Sequence, residues 1–416
     1  MTKKSVLKIV KQIDKTFEKQ YIEVPFQVRD VEKIEVTMHV DGDGSCIDLG
    51  IKDEEGVRGW SGGARDGFCI TKSFATPGYQ KGPIKNADWA ILLGAYKVPE
   101  EGCHVSLSID LYHHHHRWLK GDFHSHSVHS DGKYMLSEVE NIAADNGLDF
   151  IATTDHNAVT QNSYELQSDK VIFIPGMELT TNYGHCNFLG ITKSIKDFRC
   201  HQSEDVKKVI KEAMAMGAVV SLNHPMDELC GWHFGFDVPH DLVELWNGPF
   251  SACGNAKTLK WWHEQLKAGK QLPIIGGSDV HRPHPYIQHG KPTTNVWCYE
   301  KSIEAILDAI KKGHVFMSYS PSGPTIELQS DEKMMGDTIT DTEEILIKCD
   351  GLATNDQVQV ISDQQIECSH IVKDEKEFEE GFKGIGLQFL RVEVWRYFEE
   401  VGDYLLAAVS NPIYIR

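Results

Sequence analysis

The stretch Gly121-Asp122-Phe123-His124-Ser125-His126-Ser127-Val128-His129-Ser130-Asp131-Gly132 decides how the rest of this chain is read. His124 and His126 are separated by one residue. On an extended strand the side chains alternate faces, so both imidazoles point the same way and can share one cation. Asp131 follows in a Ser-Asp-Gly turn. Imidazole together with carboxylate suits zinc, manganese or iron. A histidine-rich loop with an accidental alternation is the plainer reading of the same residues, and the surrounding sequence has to decide between them.

Outward from this stretch, from residue 117 to 319, short apolar runs alternate with amphipathic ones. That is the pattern of a parallel α/β sheet or barrel. Strands are expected at 118–126, 149–154, 171–176, 186–191, 218–223, 242–246, 272–277 and 295–299, and helices at 137–146, 204–216, 255–268 and 302–312. Gly147, Gly217, Gly269 and Gly313 follow the helices, where a left-handed C-cap is favoured. Barrels of this kind gather functional groups at the C-terminal ends of their strands. Those ends are rich in metal-binding residues: Asp155-His156-Asn157, Gly176-Met177-Glu178, Asn223-His224-Pro225 and Asp279-Val280-His281, with His185 opening a strand after a short connection. Independent core histidines would not repeatedly choose one rim, so the set reads as a site. His129, His233, His284 and His289 fall in expected loops, at surface or supporting positions, and Glu244 reads as a strand-packing residue.

The flanks are different. Residues 1–117 show a helix pattern at 5–19 followed by alternating strands at 21–28, 33–40, 46–52, 89–98 and 104–112, which suggests an antiparallel β-sandwich. His113 to His116 close it as a joining strand. Residues 320–416 again read as strands, a second small β-sandwich, with the acidic segment 374–380 as an exposed connection. Three domains are therefore expected, at 1–117, 118–319 and 320–416. The glycine clusters at 59–65 and 76–82 lack the Gly-Lys-Ser/Thr ending of a phosphate loop and read as turns.

Bulk properties narrow the function. The formal net charge of −19 repels nucleic-acid backbones and anionic membranes at long range. The N-terminal stretch lacks the apolar core of a signal peptide, no run approaches membrane-spanning length, and the ten cysteines are scattered without a Cys-x-x-Cys pair. A cytoplasmic protein that is not a general nucleic-acid binder is expected.

The His-x-His, Ser-Asp-Gly, Thr-Asp-His-Asn, Gly-x-Glu and Asp-x-His blocks, in this order, resemble the PHP family of metallohydrolases (polymerase and histidinol phosphatase). The resemblance covers residues 117 to 319. It implies a distorted seven-stranded β/α barrel binding two to three divalent ions (zinc, manganese or iron). By that resemblance His124, His126, Glu178 and Asp279 would hold one ion, with Glu178, His185 and His224 on a second and Asp131, His156 and His281 on a third. The run from Gly176 to Gly190 is similar to the carbaryl hydrolase-type branch, known as CehA/McbA.

Ions so held lower the pKa of a bound water to about 7 and generate hydroxide at neutral pH. No separate serine or cysteine nucleophile is then needed, and the Gly-x-Ser-x-Gly match at residues 59–63 falls within the glycine cluster at 59–65 that reads as a turn. Asp279 would orient a metal-bridging hydroxide. Arg282 offers either an anion contact or a structural ion pair; Trp232, Trp246 and Asn247 either line the pocket or pack the core. Phosphoester hydrolysis on a small anionic molecule is the expected activity. Amide or carbamate hydrolysis, or a non-catalytic metal-stabilised scaffold, are the alternatives.

Overall fold

The computed structural model describes residues 3–416. The chain forms two compact units, one of residues up to His116 together with Tyr299–Ser302, the other of Arg117–Cys298 with Ile303–Arg416.

The first unit contains two four-stranded antiparallel sheets. One has the order Lys4–Ile13, Cys103–His113, Val31–Asp41, Gly67–Thr71; the other runs Tyr21–Val28, Ala87–Lys97, Cys46–Lys52, Val57–Trp60. In Tyr21–Val28 every second residue, Ile22, Val24, Phe26 and Val28, is buried. Inward residues of both sheets meet in one core that includes the fully buried Trp89. The helix expected at 5–19 is overturned. Lys4–Ile13 is an edge strand, paired antiparallel from Lys4↔Tyr112 to Ile13↔Cys103. Leu7, Ile9 and Ile13 pack on the core at a spacing of two, and β-branched residues favour the extended form. The lysines that read as a helix's polar face are exposed along this strand.

The second unit is mixed α/β. Its longest sheet follows the order Ile274–Gly277, Leu242–Asn247, Val219–Leu222, Gly184–Leu189, Ile172–Thr181, Phe150–Thr153, Arg117–Asp122, Thr293–Cys298 and Val315–Ser318. The expected helices appear at Leu136–Asp145, Ser203–Ala215, Asn255–Lys267 and Ile303–Lys312, and the four following glycines all have positive φ, between 71° and 92°. The sheet is not all parallel, however. Ile172–Thr181 pairs antiparallel with Gly184–Leu189, which pairs antiparallel with Val219–Leu222, and Arg117–Asp122 is antiparallel to Thr293–Cys298. The link from Thr181 to Gly184 is far too short for the crossover that parallel strands require, so it can only make a hairpin.

The same sheet continues past residue 319. Val315–Ser318 pairs with Asp403–Ser410, which leads on to Phe389–Phe398, Gln357–Ser362 and Ile366–Ile371. Asn411 ties this extension to the strands before it: its Oδ1 accepts the Ile274 N–H at 3.0 Å and its Nδ2 donates to the carbonyls of Ile274 and Val315 at 3.2 and 3.0 Å. A four-stranded sheet, Lys333–Met334, Thr325–Ser330, Glu344–Asp350 and Glu377–Lys383, completes the unit. The acidic segment 374–380 is therefore not simply a connection. Phe378 and Phe382 face a core while Glu377 and Glu379 point to solvent from an edge strand.

Candidate metal centre

Three groups of donor atoms converge in the second unit: His124, His126 and Asp279; His126, Asp131, His156 and His281; and His185, His224 and Cys230. All of these residues lie between His124 and His281, and among the described residues none of His113 to His116 joins a group. The strand before the His-x-His pair ends at Asp122, and Ser125 makes a single parallel bridge to Val280. The pair is thus held in an extended segment beyond the strand, with the two Nε2 atoms 3.1 Å apart.

Backbone chemistry explains why this segment needs its neighbours. The His126 N–H donates to the Val280 carbonyl at 3.0 Å and the Asp279 N–H to that of His124 at 2.8 Å. A Cβ on Gly277 would collide with His124, and one on Gly132 with the His126 backbone. Only glycine permits these approaches. His224 and Asp279 have φ of 29° and 54°, left-handed conformations that cost free energy for residues with side chains and tend to persist where surroundings enforce them.

Two carboxylates pin the loops. Asp122 is fully buried; its Oδ1 accepts the N–H groups of His124 (3.1 Å) and Ser278 (2.9 Å), and its Oδ2 accepts the Gly290 N–H (2.8 Å) and the Ser278 hydroxyl (2.5 Å). Asp155 accepts the Ser127 N–H and the hydroxyls of Ser127 and Ser130.

The distances test whether cations fit. Donors held about 2.0–2.1 Å from one ion in tetrahedral geometry stand about 3.3–3.4 Å apart. His156 Nε2, His281 Nε2 and Asp131 Oδ1 form a triangle with sides of 3.4, 3.5 and 3.4 Å. The other nitrogens are occupied: His156 Nδ1 lies 2.7 Å from Glu178 Oε2 and His281 Nδ1 donates to the Asp279 carbonyl at 2.9 Å. Their Nε2 lone pairs are left to converge. Asp279 Oδ1, which has no hydrogen-bond partner, lies 3.4 Å from His124 Nε2 and 3.0 Å from His126 Nε2. The residues fit divalent metal ions.

Glu178 sits at the junction. Its Oε1 lies 3.2 Å from His124 Nε2, 3.3 Å from His185 Nδ1 and 3.6 Å from His224 Nε2, and its Oε2 faces His126 and His156. Asn223 Nδ2 donates to Oε1 at 2.9 Å and Thr180 Oγ1 to Oε2 at 3.2 Å. Burial disfavours the charge on Glu178, but His124 and His185 outweigh it and hold its pKa well below the usual carboxylate range. Burial likewise opposes the charge on His124, and Asp279, Glu244 and Glu178 overcome it, raising its pKa.

Sequence reading missed Glu244 as part of the site. It is buried, accepts the His124 Nδ1–H at Oε1 (2.9 Å), and accepts the His224 backbone N–H (3.0 Å) and Asn247 Nδ2 (3.1 Å) at Oε2. An acid inside the apolar strand Leu242–Asn247 was the available signal, since such residues are seldom buried without partners. Carboxylates behind metal-binding histidines fix the tautomer and ring orientation. Glu244→Gln is expected to weaken metal binding by about 10–100-fold, read by zinc titration against a chromophoric chelator; unchanged affinity would remove Glu244 from this role.

Asn247 also donates to Asp279 Oδ2 at 3.3 Å, while its backbone N–H is held by Asn255 Oδ1. Trp232 is buried among Phe234 and Gly184 and donates to the Gly235 carbonyl; Trp246 is buried and donates to that of Gly248. Arg282 is exposed beside His281. His129 is exposed to solvent in part and engages Thr160, and His289 is buried with no partner on Nε2.

Burial lowers the His289 pKa from its usual 6.5 to about 4. Between those values the unfolded chain binds a proton that the folded chain refuses, so stability falls as pH drops from about 6.5 towards 4. His289→Leu should therefore lose about 2 kcal/mol less stability than the parent between pH 7 and pH 5. Urea unfolding at the two pH values measures this, and parallel losses in both proteins would refute it.

No family model matches the chain, and no curated protein matches it in sequence. Among solved structures the chain is similar to a two-domain protein containing a predicted PHP-like metal-dependent phosphoesterase from Bacteroides vulgatus, at 18% identity and a TM-score of 0.40, over 70% of this chain and 95% of that one. It is also similar to an amidohydrolase from Chromobacterium violaceum with bound sulfate (17%, TM-score 0.30, 40% and 89% covered). A third is a putative metal-dependent phosphoesterase from Bifidobacterium adolescentis (15%, TM-score 0.29, 38% and 87% covered). The description of the first of these names the family that the sequence motifs resemble.

Proposed function

We propose that this chain is a metal-dependent hydrolase of the PHP type that cleaves phosphoesters of small anionic molecules. The observation that carries the reading is the convergence of all three donor groups around one buried carboxylate, Glu178. A structural metal site is usually closed and mononuclear; this one shares a carboxylate and reaches solvent through Asp131, which is 56% exposed. Divalent ions bound there would supply Lewis acidity and a water of lowered pKa.

The chain's own residues do the rest. Glu244 and the Asp279 carbonyl orient His124 and His281, and Asn247 holds Asp279 Oδ2, which fixes the carboxylate so that Oδ1 faces the ion-binding histidines and can orient a hydroxide held there. Four carboxylates, Asp131, Glu178, Glu244 and Asp279, do not neutralise three divalent ions, so the pocket keeps a positive charge that favours a phosphate dianion.

We also infer that the strands bearing the site curve into a distorted seven-stranded β/α barrel with β-sandwich-like flanks. Supporting this, Ile274–Gly277, at one end of the pairing order, is tied back by the Gly276 N–H to Thr294 Oγ1 (3.0 Å) and by the Ser278 N–H to Asp122. Ten free cysteines favour a reducing compartment, hence the cytoplasm; no helix among the described residues is long and apolar enough to cross a membrane.

The run from Gly176 to Gly190, with its similarity to the carbaryl hydrolase-type branch, supports a second reading as an amide or carbamate hydrolase. A panel of small phosphoesters, amides and carbamates, assayed with zinc, manganese and iron while metals per chain are counted, separates the two. Phosphoester turnover with inhibition by inorganic phosphate is expected. Amide or carbamate turnover without phosphate inhibition would establish the second reading instead.

A further inference from the structure

One donor group contains sulfur. His185, His224 and Cys230 bring one ligand atom each within 4.8 Å of one another, whereas the other two groups hold only imidazole and carboxylate. Cys230 Sγ lies 3.6 Å from His224 Nδ1. A tetrahedral ion with a sulfur at about 2.3 Å and a nitrogen at about 2.0–2.1 Å sets those two donors about 3.6 Å apart. The loop delivers the thiol to this place by defined contacts: Asp227 Oδ1 accepts the N–H groups of Leu229 (2.7 Å) and Cys230 (2.9 Å) and the Cys230 thiol (3.3 Å), and the Trp232 N–H closes on the Pro225 carbonyl. The His224 ring stands between two donors, with Glu178 Oε1 3.6 Å from its Nε2 and Cys230 on its Nδ1.

We propose that Cys230 is a thiolate ligand, with His185 and His224, to one ion of the centre, making that position selective for a thiophilic metal such as zinc, cobalt(II) or iron(II) over manganese or magnesium. Binding forms a metal–sulfur bond and breaks the S–H bond, the proton leaving to solvent by way of the adjacent Asp227 carboxylate. Soft thiolate ligands select zinc and iron, whereas carboxylate and water suit manganese and magnesium. The position then differs in kind from the Asp131, His156 and His281 triangle, and the centre would hold two chemically distinct sorts of ion site. This inference rests on the reading of the three groups as a metal centre.

The test is cobalt(II) substitution of the full-length, metal-stripped protein, with bound cobalt counted by elemental analysis. A sulfur-to-cobalt charge-transfer band in the near ultraviolet is expected, lost in Cys230→Ser and kept in Cys253→Ser, a neighbouring cysteine outside the donor groups. In parallel, zinc should slow alkylation of Cys230 by iodoacetamide at least about tenfold, followed by peptide mass spectrometry, and manganese should not. Cobalt bound without the band, or a band that survives Cys230→Ser, overturns the sulfur ligand and leaves the metal centre standing; in that case His224 Nδ1 merely donates to the sulfur. If no cobalt binds, the proposal and the metal centre fall together. Should Cys230→Ser not fold, the alkylation arm on the unaltered protein still decides: equal protection by zinc and manganese, or by neither, refutes the proposal.

Discussion

Glu178→Gln is expected to lose two metal ions together and to reduce hydrolysis by at least about a hundredfold, with little change in the fold. One carboxylate oxygen stands between His124 of one donor group and His185 and His224 of another, so replacing the acid withdraws a shared negative charge from two groups at once. Glutamine keeps the shape and can still accept from Asn223, but it brings no charge to offset cations in a buried place. Ligand-sphere changes one shell further out already cost about 10–100-fold; a shared ligand should exceed that. Elemental analysis of the purified variant, alongside its thermal unfolding, decides the matter. Full metal occupancy would show that Glu178 bridges nothing.

Asp122→Ala is the opposite kind of lesion: the fold, not the chemistry, should fail. The carboxylate is fully buried and accepts three backbone N–H groups and one hydroxyl. Each buried donor left without an acceptor costs about 1–3 kcal/mol, so a loss of about 4 kcal/mol or more is expected, with the His-x-His and Asp-x-His loops released from each other. Unfolding of the metal-free protein by urea measures it free of any contribution from bound ions. A loss below about 1 kcal/mol would mean that water takes the place of the carboxylate.

What could be read from the sequence follows from how local each signal is. His124 and His126, or Asp279 and His281, announce themselves because one intervening residue puts both side chains on one face. Helix ends were legible through Gly147, Gly217, Gly269 and Gly313, since the left-handed C-cap is a property of one residue. The strand Lys4–Ile13 was misread because lysines interleaved with Leu7 and Ile9 satisfy a helical period nearly as well as a period of two; only pairing with Cys103–His113, a partner far away in the chain, breaks the tie. The roles of Glu244 and Cys230 could not be read for the same reason. Neither sits in a motif, and each acquires its role only when folding brings it to His124 or His224.

The pairing of Val315–Ser318 with Asp403–Ser410 bears on how the chain is made. A ribosome delivers residues from the N-terminus onward, so every residue of the three donor groups, up to His281, emerges well before Asn411 can bind Ile274 and Val315. In that interval Val315–Ser318 offers a naked sheet edge, with the apolar Phe316 and Met317 in it, to any nearby strand. Translation speed over residues 320–410, and chaperone cover during that window, should therefore govern how much of this protein reaches its native state.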